Sequence, residues 1–162
     1  MNIYLIGFMG SGKSTVGKIL AEKLNMQFID LDEEIERREN KTIPEIFKEK
    51  GEKYFRNLEK NILKEFAKKD RLVIATGGGV GADEGNLKIM KNSGRVIWLN
   101  VSLEEVFKRC EGDTNRPLLN QPIENIKKLY ENRKKLYSKA DISINVDSKN
   151  PENIANEILK EL

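Results

Sequence analysis

The chain has 162 residues and a formal net charge of +3 from 29 basic and 26 acidic side chains scattered along it, which suits one domain over residues 1–162 and argues against a nucleic-acid partner. A single cysteine excludes an internal disulfide and fits a reducing compartment. The sequence shows no basic leader and no apolar run of about 20 residues, the length that crosses a membrane. Together these features predict a cytoplasmic protein that binds no membrane. Histidine is absent, so acid–base chemistry falls to carboxylates or lysine, and any metal site must use oxygen ligands, which favours magnesium over zinc.

Residues 7–14 form a complete phosphate-binding motif, G-x-x-x-x-G-K-[ST]. The apolar run 3–6 before it predicts a buried strand, and apolar residues recur at helical spacing after it. Its glycines let successive backbone N–H groups point at phosphate oxygens, next to the positive end of the following helix. Lys13 would then meet the β- and γ-phosphates, and Ser14 a bound magnesium. The motif predicts a nucleoside triphosphate site, and the alternative is an ordinary glycine-rich turn.

Short apolar runs alternate with helical segments along the whole chain, without a linker or a repeat. The predicted strands are residues 3–6, 28–31, 72–76, 96–100 and 142–146. Strands separated by helices indicate a parallel sheet covered on both faces, in which ligands lie beyond the carboxyl ends of the strands. Helix starts carry capping signals, which are Thr42 with Glu45, Ser102 with Glu105, and Asn150 before Pro151.

Two carboxylates, Asp30 and Asp32, follow the second predicted strand. Residues two apart in a strand face the same side, so both side chains can point toward the phosphate loop if their strands are neighbours. One carboxylate could then join a magnesium site, and the other could contact an acceptor hydroxyl. The alternative is that Asp32 only caps a helix over residues 33–38.

Arg56 and Glu59 lie beside the apolar stripe of a predicted helix. The stripe consists of Phe55, Leu58, Ile62 and Phe66. An ion pair between residues three apart is common on helix surfaces and is worth about 0.2–0.5 kcal/mol. This pair alone therefore indicates no function.

Three consecutive glycines, residues 77–79, follow the third predicted strand. Such a run indicates that a ligand or another part of the chain comes close to the backbone, and the alternative is a plain flexible loop. A second irregular stretch, residues 111–122, contains Arg116. We expect it to be a mobile lid whose arginine neutralises charge during phosphoryl transfer, although a charged surface loop has a similar composition.

Arg133 lies on the inward face of a predicted helix. The other residues on that face are Ile126, Tyr130, Tyr137 and Ala140. A buried guanidinium needs an anionic partner, and a bound anionic substrate could supply it. The alternative is an arginine that extends to solvent or pairs with a nearby aspartate.

Taken together, these elements resemble the shikimate kinase family over essentially the whole chain. The matching elements are the phosphate loop GFMGSGKST at 7–15, Asp30-x-Asp32, Phe55-Arg56-x-x-Glu59, Gly77-Gly78-Gly79, Arg116-Pro117-Leu118-Leu119 and Arg133-x-x-x-Tyr137. The phosphate loop is widespread, whereas the combination is specific. The resemblance implies a three-layer α/β/α P-loop kinase fold, with a five-stranded parallel sheet in the order 2-3-1-4-5.

The resemblance also implies a reaction, the transfer of the ATP γ-phosphoryl group to the 3-hydroxyl of shikimate on the route to chorismate and aromatic amino acids. ATP would be held by Gly10, Ser11, Gly12, Lys13, Ser14, Thr15, Arg109, Arg116 and Pro151. Arg109 and Pro151 would flank the adenine. Ser14 would ligate magnesium, and Asp30 would join the metal shell through water.

On the acceptor side, the resemblance assigns hydroxyl binding to Asp32, which could also take the proton. The substrate carboxylate would be held by Arg56, Arg133 and the backbone of Gly78 and Gly79, with Glu59 orienting Arg56. The catalytic residues would be Lys13, Asp32 and Arg116. A substrate-binding helical region is expected at about residues 32–60, and the protein is expected to act as a monomer.

Three alternatives remain from the sequence. A related kinase for gluconate or a nucleotide would keep the phosphate loop and the sheet. A regulatory or interaction module could bind the nucleotide without catalysis, although the joint presence of Lys13, Asp32 and Arg116 argues against this. A nucleic-acid-binding ATPase is disfavoured by the nearly balanced charge.

Overall fold

The computed structural model describes residues 1–110 and 122–162. Its strands are β1 (Asn2–Ile6), β2 (Gln27–Asp30), β3 (Leu72–Ala75), β4 (Gly94–Asn100) and β5 (Ile142–Asn145). All neighbouring pairs are parallel, and the strand order is β2-β3-β1-β4-β5. The predicted parallel sheet and its order are therefore confirmed, and each strand begins or ends within two residues of its predicted bounds.

Helices connect these strands and cover the sheet. They are α1 (Lys13–Leu24), α2 (Leu31–Glu39), α3 (Ile43–Ala67), α4 (Glu84–Ser93), α5 (Leu103–Cys110), α6 (Ile123–Tyr137) and α7 (Pro151–Glu161), with a 3₁₀ turn at Val80–Ala82. Helix α3 is two helical pieces joined at Gly51, where φ is 86°. Helices α1 and α7 pack together, and α4 packs against β4 and α3. Within the described ranges, no helix is long and apolar enough to cross a membrane.

All three helix starts marked by capping signals are confirmed, but one of the two predicted capping boxes is incomplete. Thr42 and Glu45 form a complete capping box, and Asn150 caps α7 with Pro151 in the first turn. At α5 only half of the box forms. The Ser102 hydroxyl accepts from the Glu105 N–H at 3.1 Å, but the Ser102 N–H donates to Asp147 instead of Glu105.

The central strand β1 is buried along its whole length, and each of its large apolar side chains contributes about 1.5–3 kcal/mol by leaving water. Strand β3 lies between β1 and β2, and the pairing register aligns Ala75 with both Leu5 and Asp30. The three carboxyl ends therefore meet at one edge of the sheet. This edge brings together the phosphate loop after β1, Asp30 at the end of β2, and the glycine run after β3.

Candidate active site

The phosphate loop curls between β1 and the first residue of α1. Two of its glycines adopt left-handed conformations that side chains rarely allow, with φ of 76° at Gly10 and 88° at Gly12. The Ser11 N–H closes the turn onto the Phe8 carbonyl at 3.2 Å, and Ser11 is fully buried. Helix α1 starts directly after Gly12. Its positive end therefore faces the loop, as an anion site requires.

Lys13 lies back across this loop. Its ammonium group donates to the Gly7 carbonyl at 2.7 Å and to the Phe8 carbonyl at 3.1 Å. These bonds hold the charge over the concave side of the turn. Thr15, by contrast, is exposed on α1.

Ser14 and Asp30 meet at the mouth of the loop. The Ser14 hydroxyl donates to Asp30 Oδ2 at 2.5 Å, although β3 lies between β2, which ends at Asp30, and β1, which precedes the loop. Among the described residues, no group of three or more carboxylate, histidine or cysteine side chains could hold a metal by itself. One hydroxyl and one carboxylate fit magnesium, which keeps several water ligands and binds phosphate oxygens.

Arg109 joins the phosphate loop to the segment after β5. Its guanidinium donates to the Gly10 carbonyl at 3.0 Å and to the Val146 carbonyl at 3.1 Å, while Glu105 pairs with it at 3.0 Å. Pro151 begins α7 a few residues beyond Val146. The two residues predicted to flank the adenine therefore lie on helices that follow neighbouring strands. Arg109 is on α5, after β4, and Pro151 begins α7, after β5.

A cleft of about 900 Å³ opens beside the loop, between α2, α3 and α6. The predicted residues that line it are Asp32, Arg56, Glu59, Gly77, Gly78, Gly79 and Arg133. These residues come from distant parts of the sequence, and the fold brings all of them together.

Asp32 lies in the first turn of α2 and not on the strand. Strand β2 ends at Asp30, whose side chain caps α2 by accepting from the Glu33 N–H at 3.2 Å. The interpretation of Asp32 as the helix cap is therefore wrong, and so is the strand-based reason for its direction. Burial raises the pKa of Asp32 to about 6, and the nearby Asp30 carboxylate adds to the rise.

The Arg56–Glu59 pair is not an ordinary surface ion pair. Glu59 is only 2% exposed, and its carboxylate accepts from Arg56 at 3.0 Å. Burial raises the pKa of Glu59 to about 7, against the opposing effect of Arg56. The Arg56 guanidinium also lies 5.3 Å from the ring centre of Phe55 and 5.9 Å from that of Phe47. These contacts aim the guanidinium into the cleft.

The glycine run is packed under charged side chains, so it is not a loose loop. A Cβ on Gly77 would lie 2.7 Å from Asp32 Oδ1, and one on Gly78 would lie 2.8 Å from Arg133 Nη1. A Cβ on Gly79 would collide with the Arg56 guanidinium. Each glycine therefore makes room for one charged group of the cleft.

Arg133 is half-buried, and its guanidinium lies 5.8 Å from the ring centre of Phe8. One turn later, the Tyr137 hydroxyl donates to the Gly78 carbonyl. Burial raises the pKa of Tyr137, which keeps this hydroxyl protonated as a donor. Helix α6 therefore supplies one cation to the cleft and fixes the loop beside it.

Much of the cleft wall is formed by residues that the sequence pattern did not indicate. The additional lining residues include Met9, Ile43, Pro44, Phe47, Asn125 and Asn132. The sequence signal for Phe47 was an aromatic residue one turn into a capped helix. Arg116 and the expected lid at 111–122 fall, except for Pro122, outside the described residues, and their role stays a prediction.

Comparison with known proteins gives consistent matches. The family model described as shikimate kinase matches residues 9–162. Shikimate kinase of Persephonella marina is 58% identical over 158 residues, covering 98% of this chain and 96% of that protein. The crystal structure of shikimate kinase from Aquifex aeolicus has a TM-score of 0.90 at 49% identity, covering 99% of this chain and 95% of that one. Shikimate kinase from Acinetobacter baumannii in complex with shikimate has a TM-score of 0.94 at 39% identity, covering 99% and 91%.

Proposed function

Since the chain belongs to the shikimate kinase family, we propose that its phosphate loop binds ATP and that the cleft of about 900 Å³ beside the loop binds shikimate. The chain is an ATP-dependent kinase that transfers the γ-phosphoryl group to the 3-hydroxyl of shikimate. The geometry of the two sites supports an assignment of residues to this transfer.

The observation that carries the residue assignment is the separation of charge in the cleft. Arg56 and Arg133 approach one side of the glycine run at Gly79 and Gly78, whereas Asp32 approaches it at Gly77. Shikimate carries a carboxylate and several hydroxyl groups. Its carboxylate binds to the two guanidinium groups, which can each donate two hydrogen bonds, and its hydroxyl groups face Asp32.

Asp32 accepts a hydrogen bond from the reacting hydroxyl and orients its oxygen toward the phosphate loop. As the new bond between this oxygen and the γ-phosphorus forms, the bond from that phosphorus to the β,γ-bridging oxygen breaks, and ADP leaves. The hydroxyl proton passes to Asp32. Asp32 thus acts as a general base on the acceptor hydroxyl, and the two subsites hold the two reactants in place.

The phosphate loop stabilises the charge of the transferred group. Its N–H groups and the ammonium of Lys13 hold the β- and γ-phosphates, once Lys13 turns from the Gly7 and Phe8 carbonyls. Ser14 would ligate magnesium and Asp30 would join its shell through water, and the metal would neutralise phosphate charge when it is bound with the nucleotide. Arg109 and Pro151 flank the adenine.

The helical region at about 32–60 supplies Asp32, Phe47, Phe55, Arg56 and Glu59. It is therefore the acceptor-binding part of the molecule. We also propose that the enzyme acts as a monomer on small molecules, because both subsites are built from a single chain.

A panel of acceptors tests this assignment. ADP release is measured with shikimate, gluconate, a nucleoside monophosphate and no acceptor, each with ATP and magnesium. We expect rapid release only with shikimate. Equal release without an acceptor would indicate an ATPase, and a preference for gluconate or the nucleotide would assign the cleft to another substrate.

A further inference from the structure

Asp30 makes hydrogen bonds to two different parts of the molecule with its two carboxylate oxygens. Oδ2 accepts from the Ser14 hydroxyl at 2.5 Å, in the first turn of α1. Oδ1 accepts from the Glu33 N–H at 3.2 Å, which caps the start of α2. One carboxylate therefore connects the magnesium–nucleotide side with the helix that carries Asp32.

No loop separates β2 from α2, because Asp30 is both the last residue of the strand and the cap of the helix. Leu31 and Ile35 anchor the far side of this short helix in the core. The direction of its first turn depends on the cap, and Asp32 lies in that turn. A change in the orientation of the Asp30 carboxylate is therefore transmitted to Asp32 over two residues.

Asp83 is a helix cap whose contacts, among the described residues, do not reach the phosphate loop. Asp83 caps α4 by accepting from the Asn86 N–H at 2.8 Å, and its other partner is Lys60, outside the phosphate loop. The chain thus contains a matched cap of the same residue type that does not touch the nucleotide side.

We propose that Asp30 is a positioning residue that couples magnesium–nucleotide binding to acceptor binding, by fixing the first turn of α2 and thereby Asp32. The inference rests on the proposed function of the two subsites. A magnesium ion held by Ser14 would polarise its hydroxyl, and this hydroxyl would then donate more strongly to Asp30. The carboxylate is held in its capping orientation, and Asp32 is held ready for the acceptor hydroxyl. By linkage, the acceptor tightens magnesium–nucleotide binding by the same factor.

Calorimetric titration measures this coupling directly. Shikimate is titrated into the protein alone, with ADP and magnesium, and with ADP and EDTA. We expect magnesium with ADP to lower the Kd for shikimate by about 5–50-fold, and ADP with EDTA to have a much smaller effect. Hydrogen exchange at the Glu33 amide should slow only when magnesium and ADP are both present.

Three variants separate coupling from simple stability. Asp30→Ala should reduce the coupling to within about twofold, and Asp83→Ala, which also removes a cap, should retain it. Asp30→Asn keeps a capping oxygen for the Glu33 N–H, but its amide nitrogen replaces Oδ2 and cannot accept a hydrogen bond from the Ser14 hydroxyl. It should fold with unchanged exchange at Glu33 in the free protein and still lose the coupling, so the test survives poor folding of Asp30→Ala.

The outcomes separate this inference from the proposed function. If the unaltered protein phosphorylates shikimate but magnesium with ADP leaves its Kd unchanged, the coupling is wrong and the function stands. Equal loss of coupling in Asp83→Ala and Asp30→Ala would likewise overturn the role of Asp30. If the protein neither binds nor phosphorylates shikimate, the proposed function fails, and this inference fails with it.

Discussion

The phosphate loop and the cleft that we propose for the acceptor are built to bind their ligands in different ways. The loop is built from consecutive residues, and its main donors are backbone N–H groups next to a helix start. The cleft is built from charged side chains of α2, α3 and α6 that converge on the glycine run after β3. A backbone site tolerates changes in most of its side chains, whereas the cleft depends on each side chain and on the space beneath it.

The largest effect is expected from Asp32→Asn. This change keeps the shape of the side chain and removes the charge that receives the hydroxyl proton, so turnover should fall by about 10²–10⁴. The affinity for ATP should be nearly unchanged, because the loop does not need Asp32. Steady-state kinetics and nucleotide binding check this, with Asp83→Asn as the control cap outside the cleft. Normal turnover in a folded Asp32→Asn would leave Asp32 without a role in the reaction.

Lys13→Ala tests whether the cleft binds shikimate without help from the phosphate loop when no nucleotide is present. Loss of the ammonium over the loop should lower turnover by about 10²–10³, because a charged donor to the phosphates is gone. Shikimate binding without nucleotide should survive, since the guanidinium groups and Asp32 remain in place. Calorimetry with Lys18→Ala, an exposed lysine of the same helix, provides the comparison. Loss of shikimate affinity in nucleotide-free Lys13→Ala would show that the cleft needs Lys13 to bind the acceptor.

Gly79→Ala tests the space that the cleft needs. The φ of Gly79 is −83°, which alanine adopts freely, and the nearest described atoms that its Cβ would meet are those of the Arg56 guanidinium. Displacement of this guanidinium should raise the KM for shikimate by about 10-fold or more, with little change in the KM for ATP. Gly85→Ala is the matched change, because its Cβ meets the flexible end of Lys60 at 3.0 Å. Equal effects of the two variants would contradict the packing argument.

Glu59→Gln should have a smaller effect, on stability. Burial raises the pKa of Glu59 from 4.5 to about 7 in the folded protein, so the folded state binds this proton more tightly than the unfolded state. The resulting stabilisation is complete below about pH 4.5 and is lost as the pH rises through about 7.

At pH 8, Glu59→Gln should therefore unfold with a higher free energy than the unaltered protein, by at most about 3 kcal/mol, and the difference should vanish near pH 4.5. Denaturant unfolding at several pH values measures it, with the exposed Glu49→Gln on the same helix as the control. The variant should also use shikimate less well, because Arg56 loses the carboxylate that orients it. A pH-independent difference would exclude Glu59 as its source.

The sequence predicts the loop better than the cleft for a physical reason. The five strands and the phosphate loop are local patterns, and the structure confirms the sheet and its order. Leu31 extends the predicted strand by one residue and so suggests strand spacing for Asp30 and Asp32, whereas the strand ends at Asp30, whose side chain caps α2. An apolar run does not record where hydrogen bonding between strands stops.

Other features depend on partners far away in the sequence. The Ser102 N–H bonds to Asp147, 45 residues later, so a local capping pattern could not identify its partner. The rings of Phe47 and Phe55 pack with their centres 4.7 Å apart across the break at Gly51. In an unbroken helix, residues eight apart are separated by about 12 Å along the axis, so the sequence pattern does not predict this contact. The glycine run indicated a close approach, but only the fold shows that Asp32, Arg133 and Arg56 make it.

The most direct test of the central claim, that Arg56 and Arg133 hold the carboxylate of shikimate, compares kcat/KM for shikimate and its neutral methyl ester. We expect the ester to be worse by about 10²–10³, with the KM for ATP unchanged, because the charged hydrogen bonds are lost. Arg133→Lys should lower kcat/KM for shikimate by about 10-fold or more and leave that for the ester nearly unaltered, since the ester lacks the group that Arg133 holds. Efficient use of the ester, or an equal penalty of Arg133→Lys on both compounds, would contradict the assignment.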